Sequence, residues 1–156
     1  MFDLISILTQ LVSSVCPIKG LSEEADSYVI QFAAEATPEQ KASANAIIAN
    51  KDAITEKYQK LDKLDADFAT SIDAGFTTSY GWKLGLKNDD LTLLSSLYLM
   101  ARTCVEMSLP LPEIIDTDGV AHNLSFEMLT TVMLQYGAYR ADLSKNYAEQ
   151  KKIIEG

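Results

Sequence analysis

The chain has 156 residues, of which 47% are hydrophobic and 22% charged, and its formal net charge is −9. This length and apolar content suffice for one globular domain, or for a small domain with a helical arm, without disulfides or a structural metal. The acidic balance argues against nucleic-acid phosphates and anionic membrane surfaces as partners, because both attract basic patches. We therefore expect no nucleic-acid partner. We also expect no membrane insertion, because no apolar run is long enough to span a bilayer.

Two cysteines, Cys16 and Cys104, and one histidine, His122, are the residues best suited to carry chemistry. The cysteines form no CxxC motif, which argues against a zinc site or a redox pair. A lone histidine cannot build a multi-histidine metal site. Cys104 and His122 could pair as nucleophile and base, but one falls in an apolar helical segment and the other in a hairpin. We therefore predict reduced thiols, no metal, no cofactor and no enzymatic activity.

The N-terminal third of the chain predicts a helix and then a strand. Residues 2–15 have apolar side chains at helical spacing, and Pro17 ends the pattern. These residues lack the basic start and the cleavage site of a signal peptide, so we expect a protein made and kept in a cytoplasm. Residues 27–33 are rich in β-branched and aromatic side chains and predict a strand.

A long helix is predicted next. Thr37 and Gln40 have the spacing of a capping box around Pro38, which suits the first helical position. The helix is expected to run to Ile72 with little interruption, and an apolar stripe follows its second half. The stripe, our candidate interface, consists of Ile54, Tyr58, Leu61, Leu64, Phe68 and Ile72. Such a stripe suits a partner helix, which can belong to the same chain or to a second copy.

After a stop at Gly75, residues 76–86 are predicted to be extended, with Gly81 and Gly85 as weak points. On an extended segment Tyr80 and Trp82 share a face. They form a candidate ligand-stacking platform, although the core face of a small sheet is the favoured interpretation. The following helix, predicted at residues 91–108, is apolar nearly all round, which indicates a buried core helix.

Asp118-Gly119 predicts a tight hairpin turn between residues 114–117 and 120–124. A calcium-binding EF-hand loop is excluded, because its first and last ligand positions would be Ile114 and Ser125. Ser125 is instead expected to cap a final helix that runs toward Ile154.

These elements together predict an α+β fold that is mostly helical. It has a long central helix, with small strands and a hairpin packed on a C-terminal helical domain. The expected organisation is an N-terminal helix–strand–helix module at 1–50, a helical connector or arm at 51–74, and a C-terminal α+β domain at 75–156.

Two parts of the chain resemble bacteriophage proteins. Residues 15–49 resemble a short module found near the ends of phage tail-fibre-region proteins, through Cys16-Pro17-Ile18 and Thr37-Pro38-Glu39-Gln40. Residues 65–144 resemble the C-terminal domain of unknown function found in phage tail-fibre and tail-fibre-assembly proteins. The matching sequences are Asp67-Phe68, Gly75-Phe76-Thr77-Thr78, Tyr80-Gly81-Trp82-Lys83-Leu84, Asp116-Thr117-Asp118-Gly119 with Leu124, and Leu134-Gln135-Tyr136-Gly137.

The resemblance implies a phage-tail setting and no catalytic residue. We therefore expect a non-enzymatic structural or adaptor protein of the tail or baseplate, associated with tail fibres. Its expected partners are other tail, fibre or baseplate proteins and further copies of itself, in the virion tail after assembly in the host cytoplasm. Two alternatives stay open: a tail-fibre assembly chaperone that is absent from the mature virion, and a glycan-binding receptor module that uses Tyr80 and Trp82.

Overall fold

The computed structural model describes residues 3–25 and 27–156, and within them the fold is α+β and mostly helical, as predicted. The described residues form five helices and three two-stranded antiparallel hairpins. Contacts divide the chain into two compact units, one up to Lys63 and the other from Leu64 to Ile154. This division falls inside the third helix, within the segment 51–74.

The first unit contains two complete helices, a hairpin and the start of a third helix. Its elements are α1 (Leu4–Val15), β1 (Ile18–Glu24), β2 (Ser27–Phe32), α2 (Pro38–Ala49) and the beginning of α3 (Lys51–Ala74). The predicted capping box of α2 is confirmed: the Thr37 N–H donates to Gln40 Oε1 at 2.9 Å, and the Gln40 N–H donates to Thr37 Oγ1 at 3.2 Å. Two orphan amide groups of the helix start are thereby satisfied.

The sequence did not predict strand β1, and residue 2 of the predicted first helix lies outside the described residues. Residues 18–24 pair with β2, with Leu21 opposite Ile30, although their polar sequence predicts no strand. Pairing with the stronger β2 sequence overrides the weak local preference. The long helix, predicted to run to Ile72 with little interruption, is interrupted at one residue, Asn50. The Asn50 backbone leaves the helical region (φ −96°, ψ 15°), and its side chain donates to the Ala46 carbonyl at 3.0 Å. That bond competes with helix continuation.

The core of the first unit lies where α1, α2 and the hairpin meet. Its buried residues are Val12, Cys16, Ala36 and Ala44, with Ile18, Ile30, Phe32, Ile47 and Ile48 packed around them. Ala44 is fully buried, and its small side chain lets α2 pack closely against the rest of this core. Cys16 is therefore a core thiol of this unit, in line with its predicted structural role.

The second unit contains the end of α3, two short hairpins and two helices. The elements after α3 are β3 (Phe76–Thr77), β4 (Lys83–Leu84), α4 (Asn88–Glu106), β5 (Ile114–Ile115), β6 (Ala121–His122) and α5 (Phe126–Glu155). Its core consists of Phe76, Leu84, Leu86, Leu94, Ala101, Ile114, Leu129, Val132 and Tyr136. Tyr136 anchors α5 to the chain after β4, because its hydroxyl donates to the Gly85 carbonyl at 3.0 Å. The predicted Ser125 cap of α5 is confirmed, and a hairpin forms around Asp118-Gly119 as predicted. Its turn is longer than the predicted two residues, because Ile115 pairs with Ala121 and the Asp116 N–H donates to the Val120 carbonyl, which leaves Thr117, Asp118 and Gly119 in the loop.

The segment predicted to be one extended stretch is a hairpin. The Thr78 N–H donates to the Trp82 carbonyl at 2.9 Å, and the Gly81 N–H donates to the Thr78 carbonyl at 3.0 Å. Gly81 has a φ of 90°, which a residue with a side chain rarely adopts. Tyr80 therefore lies in the turn, while Trp82 lies at the start of the returning strand.

The prediction of a fully buried core helix is wrong for α4. Only Leu94 and Ala101 of this helix are buried, and Leu93, Leu99 and Met100 are exposed. A helix packed on one side of a core buries a single stripe, whatever the composition of its other faces. The apolar residues of α4 outside that stripe are left on the surface.

The C-terminal part of the candidate interface packs against α5 of the same chain. The rings of Phe68 and Tyr147 lie 4.6 Å apart, and the Tyr147 hydroxyl donates to Asp65 at 2.6 Å. Leu64 lines a cleft with Tyr147, and Ile72 packs on the core of the second unit. The other members, Ile54, Tyr58 and Leu61, belong to the first unit and are half-buried.

Candidate functional site

Several of the exposed apolar side chains of the described residues lie along α4. We define the α4 apolar face as Leu93, Leu97, Met100, Cys104 and Met107. Leu93 is 60% exposed, Met100 49% and Met107 64%, while Leu97 and Cys104 between them are half-buried. The members recur at alternating steps of four and three residues, which is the spacing of a helix that packs against a partner helix.

Residues 91–101, which contain the first three members of this face, carry no acidic or basic side chain, and the charged residues Arg102 and Glu106 follow. The exposed neighbours Ser96 and Thr103 are small and uncharged. This uncharged segment contrasts with the chain as a whole, whose net charge is −9. Exposed contiguous apolar surface of this kind marks an interaction site more often than an isolated apolar side chain does.

Local sequence fixes both ends of α4. At its start, which lies three residues before the predicted one, Asp90 Oδ2 accepts the Lys87 N–H at 2.8 Å from within the first helical turn. At its end, Ser108 adopts a φ of 56° and the Leu109 N–H donates to the Cys104 carbonyl at 2.8 Å. Pro110 then prevents the helix from continuing.

A small cleft opens beside the N-terminal half of the α4 apolar face. It has a volume of about 90 Å³. Its lining includes Leu93 and Leu97 of α4, Ile115 and Thr117 of the neighbouring hairpin, Tyr136 of α5, and two acidic residues, Asp90 and Asp116. Pockets for metabolite-sized ligands have volumes of about 300 Å³ or more. The cleft therefore has room for an inserted side chain of a protein partner rather than for a metabolite.

A second cluster joins the two hairpins of this unit through Trp82, His122 and Asp116. The Trp82 and His122 rings are stacked, with centroids 4.4 Å apart and planes inclined by 13°. His122 Nε2 lies 2.7 Å from Asp116 Oδ2, and Asp116 Oδ1 accepts the N–H groups of Asp118 and Val120 at 2.9 and 2.8 Å. The Thr117 N–H also donates to the Lys83 carbonyl at 3.0 Å, which ties the hairpins together.

The carboxylate of Asp116 is only 5% exposed and accepts three hydrogen bonds. The hydrogen bond with His122, followed by that with the Val120 N–H, lowers the pKa of Asp116, against the opposing effect of burial. An ionised carboxylate that serves as acceptor for one ring and two amides is held in a fixed position. This geometry suits a structural role in which Asp116 stabilises the turn.

The candidate ligand platform differs from its predicted geometry. Tyr80 lies exposed in the turn, and Trp82 is half-buried with one ring face against His122. The two side chains therefore do not share a strand face. Sequence reasoning missed the Trp82–His122–Asp116 cluster, although the position of Asp116 and His122 on opposite sides of an Asp-Gly turn is a local signal that could have paired them.

The other residues considered for chemistry are dispersed. Cys16 lies in the core of the first unit, and Cys104 is half-buried on α4. Between Cys104 and His122 there is no hydrogen bond in the part of the chain that the structure describes. Over residues 3–25 and 27–156, no three side chains of His, Cys, Asp or Glu come together in a way that could hold a metal ion.

Comparison of the chain with protein-family models, with curated proteins and with solved structures finds no match in any of the three. Among the described residues, no helix has both the length and the hydrophobicity that a bilayer crossing requires. An interpretation of function therefore depends on the surface of the chain itself.

Proposed function

We propose that the protein is a non-enzymatic structural or adaptor component of a bacteriophage tail or baseplate. In this role it binds a neighbouring tail, fibre or baseplate protein through the α4 apolar face. The phage setting is supported by the resemblance of residues 15–49 and 65–144 to phage tail-associated modules. The binding role is supported by the exposure and the helical spacing of the α4 apolar face.

The exposure of the α4 apolar face is the observation that carries this proposal. The expected occupant is an amphipathic helix of the partner protein, because the four-and-three spacing presents a row of apolar side chains to a facing helix. Complete burial of a Leu or Met side chain contributes about 1.5–3 kcal/mol. Because residues 91–101 carry no charge, a contact along this part of α4 does not require the desolvation of charged side chains of that segment.

Mass spectrometry of gradient-purified phage particles from the source lysate tests the setting. We expect the protein in the particles at a fixed ratio to known tail proteins. Abundant protein in the lysate but none in the particles would overturn the virion role and favour the assembly chaperone.

A pair of substitutions tests the surface. Leu93→Lys with Met100→Lys introduces two charges on the α4 apolar face, while Leu134→Lys introduces a charge at a more exposed apolar position, on α5. We expect the double variant, and not the control, to be lost from purified particles while remaining folded. Equal incorporation of both variants would show that α4 is not the contact.

A further inference from the structure

A second cleft in the C-terminal unit combines an apolar floor with a basic rim. Its volume is about 340 Å³, which falls within the range of small-ligand sites. Phe68, Ile72 and Leu86 form the floor, and Lys87, Arg140 and Ser144 belong to the rim.

The rim is basic in a chain that is acidic overall. No carboxylate lines the cleft, although the chain has 22 acidic residues against 13 basic ones. Lys87 Nζ lies 3.3 Å from Asp73 Oδ1, but both side chains are largely exposed, so this ion pair is weak and leaves ammonium donors available.

Arg140 is held in place by the start of α4. One guanidinium nitrogen donates to Asn88 Oδ1 at 2.5 Å, and another lies 3.5 Å from the Lys87 carbonyl. Arg140 also interacts with the Tyr136 side chain through a hydrogen bond. A guanidinium has five N–H donors, so these three contacts leave two for a ligand. Because the group is already positioned, less conformational entropy is lost when it binds.

The chemistry of the cleft selects a particular kind of ligand. A planar guanidinium matches a carboxylate through two parallel hydrogen bonds, and a neighbouring ammonium adds charge. The Phe68 ring and the Ile72 side chain provide an apolar surface for the rest of the molecule. A purely polar anion would leave that surface unused.

We infer that this cleft binds a carboxylate carried on a small apolar group, with Arg140 and Lys87 contacting the carboxylate and Phe68 and Ile72 contacting the apolar part. Two sources can present this chemistry: a free aromatic or branched carboxylic acid, and the C-terminal residue of a protein chain. The inference is independent of the proposed α4 contact, because the two surfaces have no residue in common.

Titration of the full-length ¹⁵N-labelled protein with 3-phenylpropionate, and with its neutral amide as a matched probe, tests the site. We expect chemical-shift changes centred on residues 86–88 and 140–144, with the acid binding about tenfold more tightly than the amide. Raising the salt concentration should weaken binding of the acid alone. Equal binding of acid and amide, or shift changes centred elsewhere, would overturn the inference.

Variants assign the contacts. Arg140→Gln should weaken binding of the acid about tenfold, and Lys87→Gln should weaken it by a smaller factor. Arg102→Gln is the matched control, because Arg102 is an exposed cation of α4 outside the cleft, paired with Glu106. If Arg140→Gln fails to fold, the exposed Lys87→Gln variant carries the test alone. Unchanged affinity in the folded Arg140 and Lys87 variants would refute the site.

Two further probes separate the sources of the carboxylate. An acetylated dipeptide that ends in a free Phe carboxylate is compared with the same peptide as a C-terminal amide. Tighter binding of the free peptide acid than of 3-phenylpropionate would assign the site to a protein C-terminus. Binding of 3-phenylpropionate but not of the peptide would assign it to a small acid, and binding of neither would refute the site.

Discussion

Asp116 is the side chain that accepts hydrogen bonds within the turn between β5 and β6. Its two carboxylate oxygens accept from the His122 ring and from the Asp118 and Val120 amides, beside the backbone bonds that the turn also makes. His122 in turn supports Trp82 by ring stacking. Loss of the negative charge at Asp116 should therefore alter the packing of Trp82, although the two residues belong to different hairpins.

The lowered pKa of Asp116 gives stability a defined dependence on pH. A depressed folded pKa contributes stability above the unfolded value, and this contribution is lost as the pH falls through the folded pKa. We expect the difference in unfolding free energy between wild type and Asp116→Asn to be constant near neutral pH and to shrink below about pH 4. Urea unfolding from pH 7 to pH 3, followed by Trp82 fluorescence, measures this difference.

Asp118→Asn is the control for this experiment, since Asp118 is exposed in the same turn. It should show no comparable pH dependence. A difference between wild type and Asp116→Asn that persists unchanged at pH 3 would contradict the proposed role of the charge.

Gly85 and Gly137 should respond oppositely to the same substitution. A Cβ atom at Gly85 would overlap the Asp90 carboxylate, which accepts the Lys87 N–H at the start of α4. Gly85→Ala should therefore cost about 1 kcal/mol, the value of a helix cap. A Cβ atom at Gly137 would meet nothing within 4 Å, so Gly137→Ala in the interior of α5 should stabilise by about 0.5–1 kcal/mol. Thermal melts of both variants measure the two effects, and a loss at both positions would contradict the argument.

At the scale of elements, the two sides of α4 should differ sharply in their contribution to stability. Leu94 is 4% exposed and Leu93 is 60% exposed, although they are adjacent. Leu94→Ala should destabilise by about 2–5 kcal/mol, because it removes core contacts and leaves a cavity. Leu93→Ala should change stability by less than about 0.5 kcal/mol. Urea unfolding of both variants measures this contrast, and a large cost at Leu93 would show that its face is covered.

The elements that sequence reasoning predicted correctly are those with local signals. The capping box at Thr37, the Asp118-Gly119 turn and the Ser125 cap each depend on residues within four positions of one another. β1 was missed because its strand character comes from pairing with β2 rather than from its own polar sequence.

The orientation of α4 and the site on it could not be predicted from the sequence. A helix with apolar residues on all sides gives no periodicity, so nothing in the pattern distinguishes Leu93 from Leu94. Trp82 and His122 meet through the packing of two hairpins that are distant in sequence. Such contacts require the tertiary structure, and the sequence alone did not predict that Asp116 and His122 would pair.

At the scale of the whole molecule, self-association through the candidate interface stays a prediction. Leu64, Phe68 and Ile72 of the candidate interface pack within the second unit. The first-unit members, among them Leu61, therefore provide the stronger test of pairing between copies. If copies pair there, Leu61→Lys should reduce the oligomer mass measured by light scattering after size exclusion. An unchanged mass with lower stability would assign Leu61 to packing within one chain.

The division of contacts between two units also makes a prediction about folding. The nine buried core residues of the second unit all lie between Phe76 and Tyr136, so this core is complete within one continuous segment. A fragment of residues 64–156 should therefore unfold cooperatively and keep the near-ultraviolet circular dichroism of Trp82, which reports its stacking on His122.

The Leu94→Ala substitution provides the control for independence of the second unit. If residues before Leu64 do not stabilise this core, Leu94→Ala should lower the free energy of unfolding by the same amount in the fragment as in the full chain, within about 0.5 kcal/mol. A fragment that lacks a cooperative transition, or a substitution cost that differs by more than this amount, would show that residues before Leu64 contribute to the core. Equal losses of unfolding free energy would instead show that the α4 apolar face and the cleft lined by Lys87 and Arg140 belong to one autonomously folding domain, because every residue of both surfaces lies after Lys63.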